Sequence, residues 1–328
     1  MNTLVFKLQT NWRQDRFCLI ILLFCLTSCV ESPLTETSPN KIPDAPFLLV
    51  LGVAQDAGYP QAGCTKSCCM RVEMNPALSR MVVSLGVVDP TIDHHWMIEA
   101  TPDFPRQYAD ISAWNPGGQF GGIFLTHGHI GHYTGLMHLG KEVMGAKEVP
   151  TYVMARMDTF LRNNGPWSQL VKLKNISLRQ IEDGVPVFLS SPLSITPVQV
   201  PHRDEYTETV GYHIEGPNRS ALFIPDIDKW ERWEEDINEW VQRVDIALLD
   251  ATFFEEGEVK GRIMSEIPHP FVPESMERFS SLSAEDKAKV HFIHFNHTNP
   301  LLNSESEAVR EVLEAGFRIA QQGQIIEL

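Results

Sequence analysis

Apolar residues along this chain fall into short runs bounded by glycine, proline and charged residues, the pattern of buried strands rather than of long helices. Such runs predict strands over residues 47–53, 80–88, 95–99 and 150–154. Further on they predict strands over 194–200, 220–225 and 244–249, with another beginning at 290. Between them the period changes. Residues 132–140 and 158–163 read as short helical segments. Residues 229–241 place Trp230, Trp233, Ile237 and Trp240 at helical spacing, a stripe that reads as core contact. Residues 304–317 form an amphipathic helix with Ser304 as its expected N-cap. Strands first, then strands mixed with helices and without internal repeats, predict one α/β domain.

The N-terminus follows another pattern. Lys7, Arg13 and Arg16 precede an apolar run over 17–26, the layout of a secretory signal. That run is short of the ~20 residues a membrane span needs. It ends in Leu26-Thr27-Ser28-Cys29, which resembles a bacterial lipobox, with Cys29 as the lipidated residue. An ordinary cleaved signal is the alternative. The expected organisation is a lipoprotein signal peptide over 1–28, a Ser/Thr/Pro/Asn-rich tether over 29–45 and one α/β domain over 46–328. It implies a lipid-anchored, extracytoplasmic protein of the bacterial cell envelope, whose membrane contact is the lipid on Cys29. Net charge is −15. Without residues 1–28, which carry three basic groups and one acidic group, it becomes −17. So acidic a surface repels a phosphate backbone, which argues against nucleic-acid partners and leaves a small-molecule substrate.

The densest chemistry follows the apolar run 122–125. Thr126-His127-Gly128-His129-Ile130-Gly131-His132 puts three histidines at the end of a predicted strand, in a loop that two glycines keep tight. Alternation sends His127 and His129 to one side, and His132 opens the next segment, so three imidazoles can converge on a metal. The motif resembles the His-x-His-x-Asp-His signature of the metallo-β-lactamase superfamily, with Gly131 where that family has aspartate. The resemblance implies an α/β fold, a four-layer αββα sandwich, with further ligands at later strand ends. His202 after the strand 194–200, Asp226 after 220–225, and His294 or His297 after the last strand stand at those places. Several phrases, among them residues 51–61, 201–206, 209–212 and 293–300, look closer to the pyrroloquinoline-quinone biosynthesis B branch. Families of this kind use zinc, one or two ions, with iron or manganese as alternatives.

On that resemblance His127, His129 and His202 bind one metal. Asp226 bridges to a second metal, which His132 and His294 complete, with His297 as the next choice. Gly131 cannot supply the family's carboxylate, so the second site is expected to be weak unless another residue reaches in, and His297 is the first candidate to do so. His269 lies where some relatives carry a catalytic histidine, and an exposed loop histidine is its alternative. Asp250 is read as orienting a metal-bound histidine, and Asp204 and Tyr206 as lining the pocket. His94, His95, His138, His213 and His291 are read as structural. Cys64, Cys68 and Cys69 are either thiolate ligands of a structural zinc that shows only three donors of the usual four, or one disulfide plus a thiol. The expected function is a metal-dependent hydrolase using an activated water on a small ester, lactone or phosphodiester. The alternatives are a metal-dependent oxygenase or peptide-modifying enzyme, and a non-catalytic carrier.

Overall fold

The computed structural model describes residues 41–255, 257–258 and 267–328. The expected signal segment, Cys29 and the tether up to residue 40 lie outside these residues. The compact unit runs from Ile42 to Leu328.

In chain order its strands are β1 Phe47–Gly52, β2 Ser84–Asp89, β3 His94–Ile98, β4 Gln119–Phe124, β5 Val149–Val153, β6 Ile176–Gln180 and β7 Val187–Phe188. There follow β8 Ser194–Val200, β9 Thr209–Glu215, β10 Ser220–Ile224, β11 Ile246–Asp250, β12 Val290–Ile293, β13 Arg318–Ile319 and β14 Ile325–Glu327. They form two seven-stranded sheets, β14-β1-β2-β3-β4-β5-β6 and β13-β12-β11-β10-β9-β8-β7. Both sheets are built alike. Three antiparallel pairings lead from one edge to the centre, and three parallel pairings continue to the other edge.

β1 shows how the layers arise. Leu48 and Val50 face the other sheet, with Ile195, Tyr212 and Ile214 in the same cluster. Phe47, Leu49 and Leu51 face outward onto Phe104, Ile111, Met157 and Leu161 of the helices Phe104–Trp114 and Ala155–Asn163. A strand covered on both faces must be apolar throughout, which is why it reads as an unbroken run rather than an alternation. The second sheet is covered on its outer side by Val241, Val272, Phe279, Val309 and Val312. Helix, sheet, sheet, helix is the four-layer αββα sandwich.

Two local expectations are corrected. The stretch 229–241 is not one helix. A turn at Trp230–Arg232 is followed by a helix over Ile237–Arg243, whose N-terminus is capped by Asp236 accepting from the Asn238 amide. Trp230 and Trp233 are buried all the same. The last helix is Glu307–Glu314, capped by Ser306 through the Val309 amide and not by Ser304. Pro300–Leu302 forms its own turn, capped by Asn299, which takes up the chain that a cap at Ser304 would need.

Candidate metal centre

The carboxyl ends of the central strands meet at one edge of the sandwich, and every side chain of the centre is delivered from such an end. The chain leaving β4 gives His127, His129 and His132; β8 gives His202; β10 gives Asp226; β12 gives His294. Two groups of donor atoms result, each within 4.8 Å of one another. One is His127, His129, His202 and Asp226; the other is Asp56, His132, Asp226 and His294. Asp226 belongs to both. Its Oδ1 lies 3.3 Å from His202 Nε2, and its Oδ2 lies 3.4 Å from His127 Nε2 and 3.7 Å from His132 Nε2.

The place left by Gly131 is filled, and by Asp56 rather than His297. A Cβ on Gly131 would stand 2.5 Å from Asp56 Cα and 2.6 Å from Asp56 Oδ1. Asp56 Oδ1 approaches His132 Nε2 to 2.9 Å and His294 Nε2 to 3.6 Å. The missing carboxylate is thus supplied from the loop after β1, and glycine at 131 is what makes room for it. Asp56 is the functional residue that the sequence reading passed over. Its signal was present: an aspartate at a strand's carboxyl end, in a chain whose metal loop lacks one.

Outer partners fix the rings. His132 Nδ1 faces the fully buried Glu99 carboxylate at 3.3 Å, which leaves Nε2 toward Asp56. Thr252 Oγ1 donates to Asp250 Oδ1 (2.7 Å), so it accepts from His294 Nδ1 at 2.8 Å, which turns His294 Nε2 toward the centre. His127 Nδ1 lies 2.8 Å from Thr126 Oγ1, and His129 Nε2 lies 2.9 Å from Glu205. Glu99 and His294 both hold positive φ, as does Asp204 at the mouth, a conformation that side chains adopt at a cost.

Charge is arranged to match. Burial alone would raise the Asp226 carboxyl, but His202 and His269 reverse this and hold it well below the usual range. Burial raises Asp56 too, and His132 overrides it downward. Burial lowers His132, whereas Glu99 and Asp56 carry it well above its ordinary value. His202, buried with weaker compensation, is lowered to about 4 and stays neutral. Several of these buried atoms, His202 Nε2, His294 Nε2 and Asp226 Oδ1, have no hydrogen-bond partner among the described residues. A buried polar atom left so is costly. A divalent cation at each group would satisfy all three, and imidazole with carboxylate is a donor set such ions accept. The residues fit a metal.

His269 is buried, not an exposed loop residue. Its Nδ1 lies 2.8 Å from Asp250 Oδ2 and 3.3 Å from Asp226 Oδ1. Asp250 therefore holds His269 directly and reaches His294 through Thr252. Asp204 and Tyr206 flank the mouth. Arg156 Nη2 donates to the Asp204 carbonyl, and the exposed Tyr206 lies against Phe160. Arg203 brings a guanidinium 3.2 Å from His129 Nδ1, at the open side of the first group.

His297 sits elsewhere. Its Nδ1 is 3.3 Å from Cys69 Sγ and 3.6 Å from Cys68 Sγ, and Cys64 Sγ is 3.9 Å from Cys68 Sγ. The four atoms make a third donor group. All three cysteines are unbridged, so the disulfide alternative is not realised. The fourth donor that the sequence did not show is His297. It crosses from the loop after β12 to the helix Ser67–Met74.

A four-layer αββα sandwich with histidines and a shared aspartate converging at its strand ends defines a metallo-β-lactamase-type protein. The chain belongs to the β-lactamase superfamily: the Beta-lactamase superfamily domain matches residues 87–295. Within it, the chain sits beside the coenzyme PQQ synthesis B proteins. That of Klebsiella pneumoniae is 26% identical over 311 residues, covering 86% of this chain and 98% of the relative. Zinc-bound PqqB from Methylobacterium extorquens has the same fold, with a TM-score of 0.72, 21% identity, and 86% and 100% of the two chains covered. A diphosphatase from the PhnP family follows, with a TM-score of 0.64, 23% identity, and 86% and 98% covered.

Proposed function

We propose that this chain is a metal-dependent hydrolase of a small anionic ester, a phosphodiester before a neutral ester or lactone, and that it uses two zinc ions. The observation that carries the reading is Asp226, buried and shared by two donor groups, in which its own Oδ1, His202 Nε2 and His294 Nε2 have no hydrogen-bond partner among the described residues. Zinc bound there would lower the pKa of its water to near neutrality and polarise the ester oxygen. The chain's own groups supply the rest. Arg203, at the open side, attracts an anionic substrate and orients it over the histidines. His269 is lowered by burial, but Asp250 and Asp226 raise it above its ordinary value, so it keeps a proton for a departing alkoxide. Asp250 keeps that ring in place.

A second reading has an observation of its own. With Asp56, the second group contains two carboxylates and two histidines, a set that iron also accepts. An oxygenase or peptide-modifying activity then follows the relatives named for coenzyme PQQ synthesis. The ground for a non-catalytic carrier was the carboxylate lost at Gly131, and Asp56 removes it. We also propose attachment to the envelope membrane through Cys29, which Cys29→Ala should abolish in fractionation.

The test is metal analysis of protein purified anaerobically, followed by bis(p-nitrophenyl) phosphate, p-nitrophenyl acetate and a homoserine lactone as substrates. About three zinc per chain, two at the centre and one at the Cys64–Cys68–Cys69–His297 group, with phosphodiesterase activity that falls at least 100-fold in His269→Ala and at least 1,000-fold in Asp226→Ala, is the expected result. Iron in place of zinc, with no hydrolysis of any substrate, would overturn it in favour of the second reading.

A further inference from the structure

Away from the metal centre, a cleft of about 690 Å³ is lined by Arg71, Arg80, Arg106 and Arg318. The four come from separate places: the helix Ser67–Met74, the segment before β2, the helix Phe104–Trp114, and β13. Among the described residues no aspartate or glutamate lines the cleft. In a chain of net charge −15 that is not what chance placement gives, because acids outnumber bases 42 to 27. None of the four forms an ion pair with a carboxylate among the described residues. Two are instead held by backbone oxygens. Arg80 Nη1 donates to the carbonyls of Ala77 (3.1 Å) and Ser79 (2.7 Å), and Arg318 Nη1 donates to those of Gly316 (3.3 Å) and Phe317 (3.0 Å). Carbonyl contacts of this kind aim a guanidinium without neutralising it.

The partly exposed Leu78, Leu302, Leu313 and Ile319 give the same cleft its apolar surface. We infer that this cleft binds an amphiphilic anion, a molecule with an apolar body and a carboxylate or phosphate head. Guanidinium groups grip such heads through paired hydrogen bonds, which a water-filled surface pocket of mixed charge does not offer. The volume lies in the range that holds a ligand of that size. Four like charges in one cleft repel, and an anion that relieves the repulsion binds more tightly at low salt.

The test is calorimetric titration of the metal-loaded full chain with decyl phosphate, decanoate and decanol. Either anion should bind at least tenfold more tightly than decanol, and raising salt from 50 to 500 mM should weaken the anion and not the alcohol. Which anion binds more tightly identifies the head group. The double variant Arg71→Gln/Arg318→Gln should weaken the anion at least tenfold with metal content unchanged. Arg203→Gln, at the metal centre, should leave that binding as it is. Equal binding of decanol and the anions, or loss of binding in Arg203→Gln and not in the double variant, would overturn the inference. The second pattern would place the ligand at the metals instead.

Discussion

Asp56 and Gly131 are one decision written at two places. The carboxylate comes from the loop after β1, and a side chain at 131 would start inside it. Gly131→Asp alone should therefore crowd the centre, costing about 1–3 kcal/mol of stability, and should not improve metal binding. Asp56→Gly should lose the second metal and keep the first. Gly131→Asp/Asp56→Gly should regain two metals, because the carboxylate returns by the other route. Elemental analysis after dialysis against a weak chelator checks all three, and a double variant that holds no more metal than Asp56→Gly would refute the exchange. A different residue sets part of the pH response. His95 is buried beside Asn115 and Phe120, and burial, with a smaller push from His94, lowers it to about 4. The unfolded chain takes up this proton below about pH 6.5 while the fold does not. Stability is therefore full above pH 6.5 and falls as pH drops toward 4, by at most about 3 kcal/mol from this group. In urea unfolding at pH 7.5 and 5.5, His95→Phe should show a smaller loss than wild type; an equal loss would remove His95 from the account.

At the scale of elements, strand ends were more legible than helix ends. A strand buried on both faces announces itself by composition, and the ligands then follow at its carboxyl end, so β4, β8 and β10 pointed to His127, His202 and Asp226 before any geometry was known. Helix limits depend on which of several polar residues wins the first amide. Ser304 and Ser306 are both competent caps, and the turn after Asn299 decides for Ser306. Ser306→Ala should cost ~1 kcal/mol, read as a lower melting temperature, and Ser304→Ala almost nothing. The reverse order would restore the cap read from the sequence. Asp56 carries only that positional signal, its place at a strand's carboxyl end, for a related reason. Nothing within the phrase Gln55-Asp56-Ala57 distinguishes a ligand from a turn residue, since its partners lie 76 positions away at His132 and farther still at His294. The substitute ligand was sought at His297 and lies at Asp56, because a motif is read along the chain whereas a ligand set is chosen in space.

Across the whole molecule, the third donor group does more than close a loop. Asp56 lies eight residues before Cys64, and His294 lies three before His297. Their segments are already laced together, with the Gln55 amide donating to the Phe295 carbonyl (2.8 Å) and the Phe295 amide donating to the Val53 carbonyl (2.8 Å). The Cys64–Cys68–Cys69–His297 group clamps the same two segments at their far ends. Those segments deliver Asp56 and His294, two of the three ligands that the first metal group does not use. An oxidant that consumes the thiols would consequently slacken one half of the centre and spare the other. Titrating the metal-loaded chain with hydrogen peroxide should release metal in two stages, first from the cysteines together with the second group, and only later from His127, His129 and His202. Simultaneous release of all metal would show the clamp to be independent of the centre. A staged loss would give the protein a built-in order of failure, in which exposure to oxidising surroundings is recorded as a half-loaded centre before it becomes an empty one.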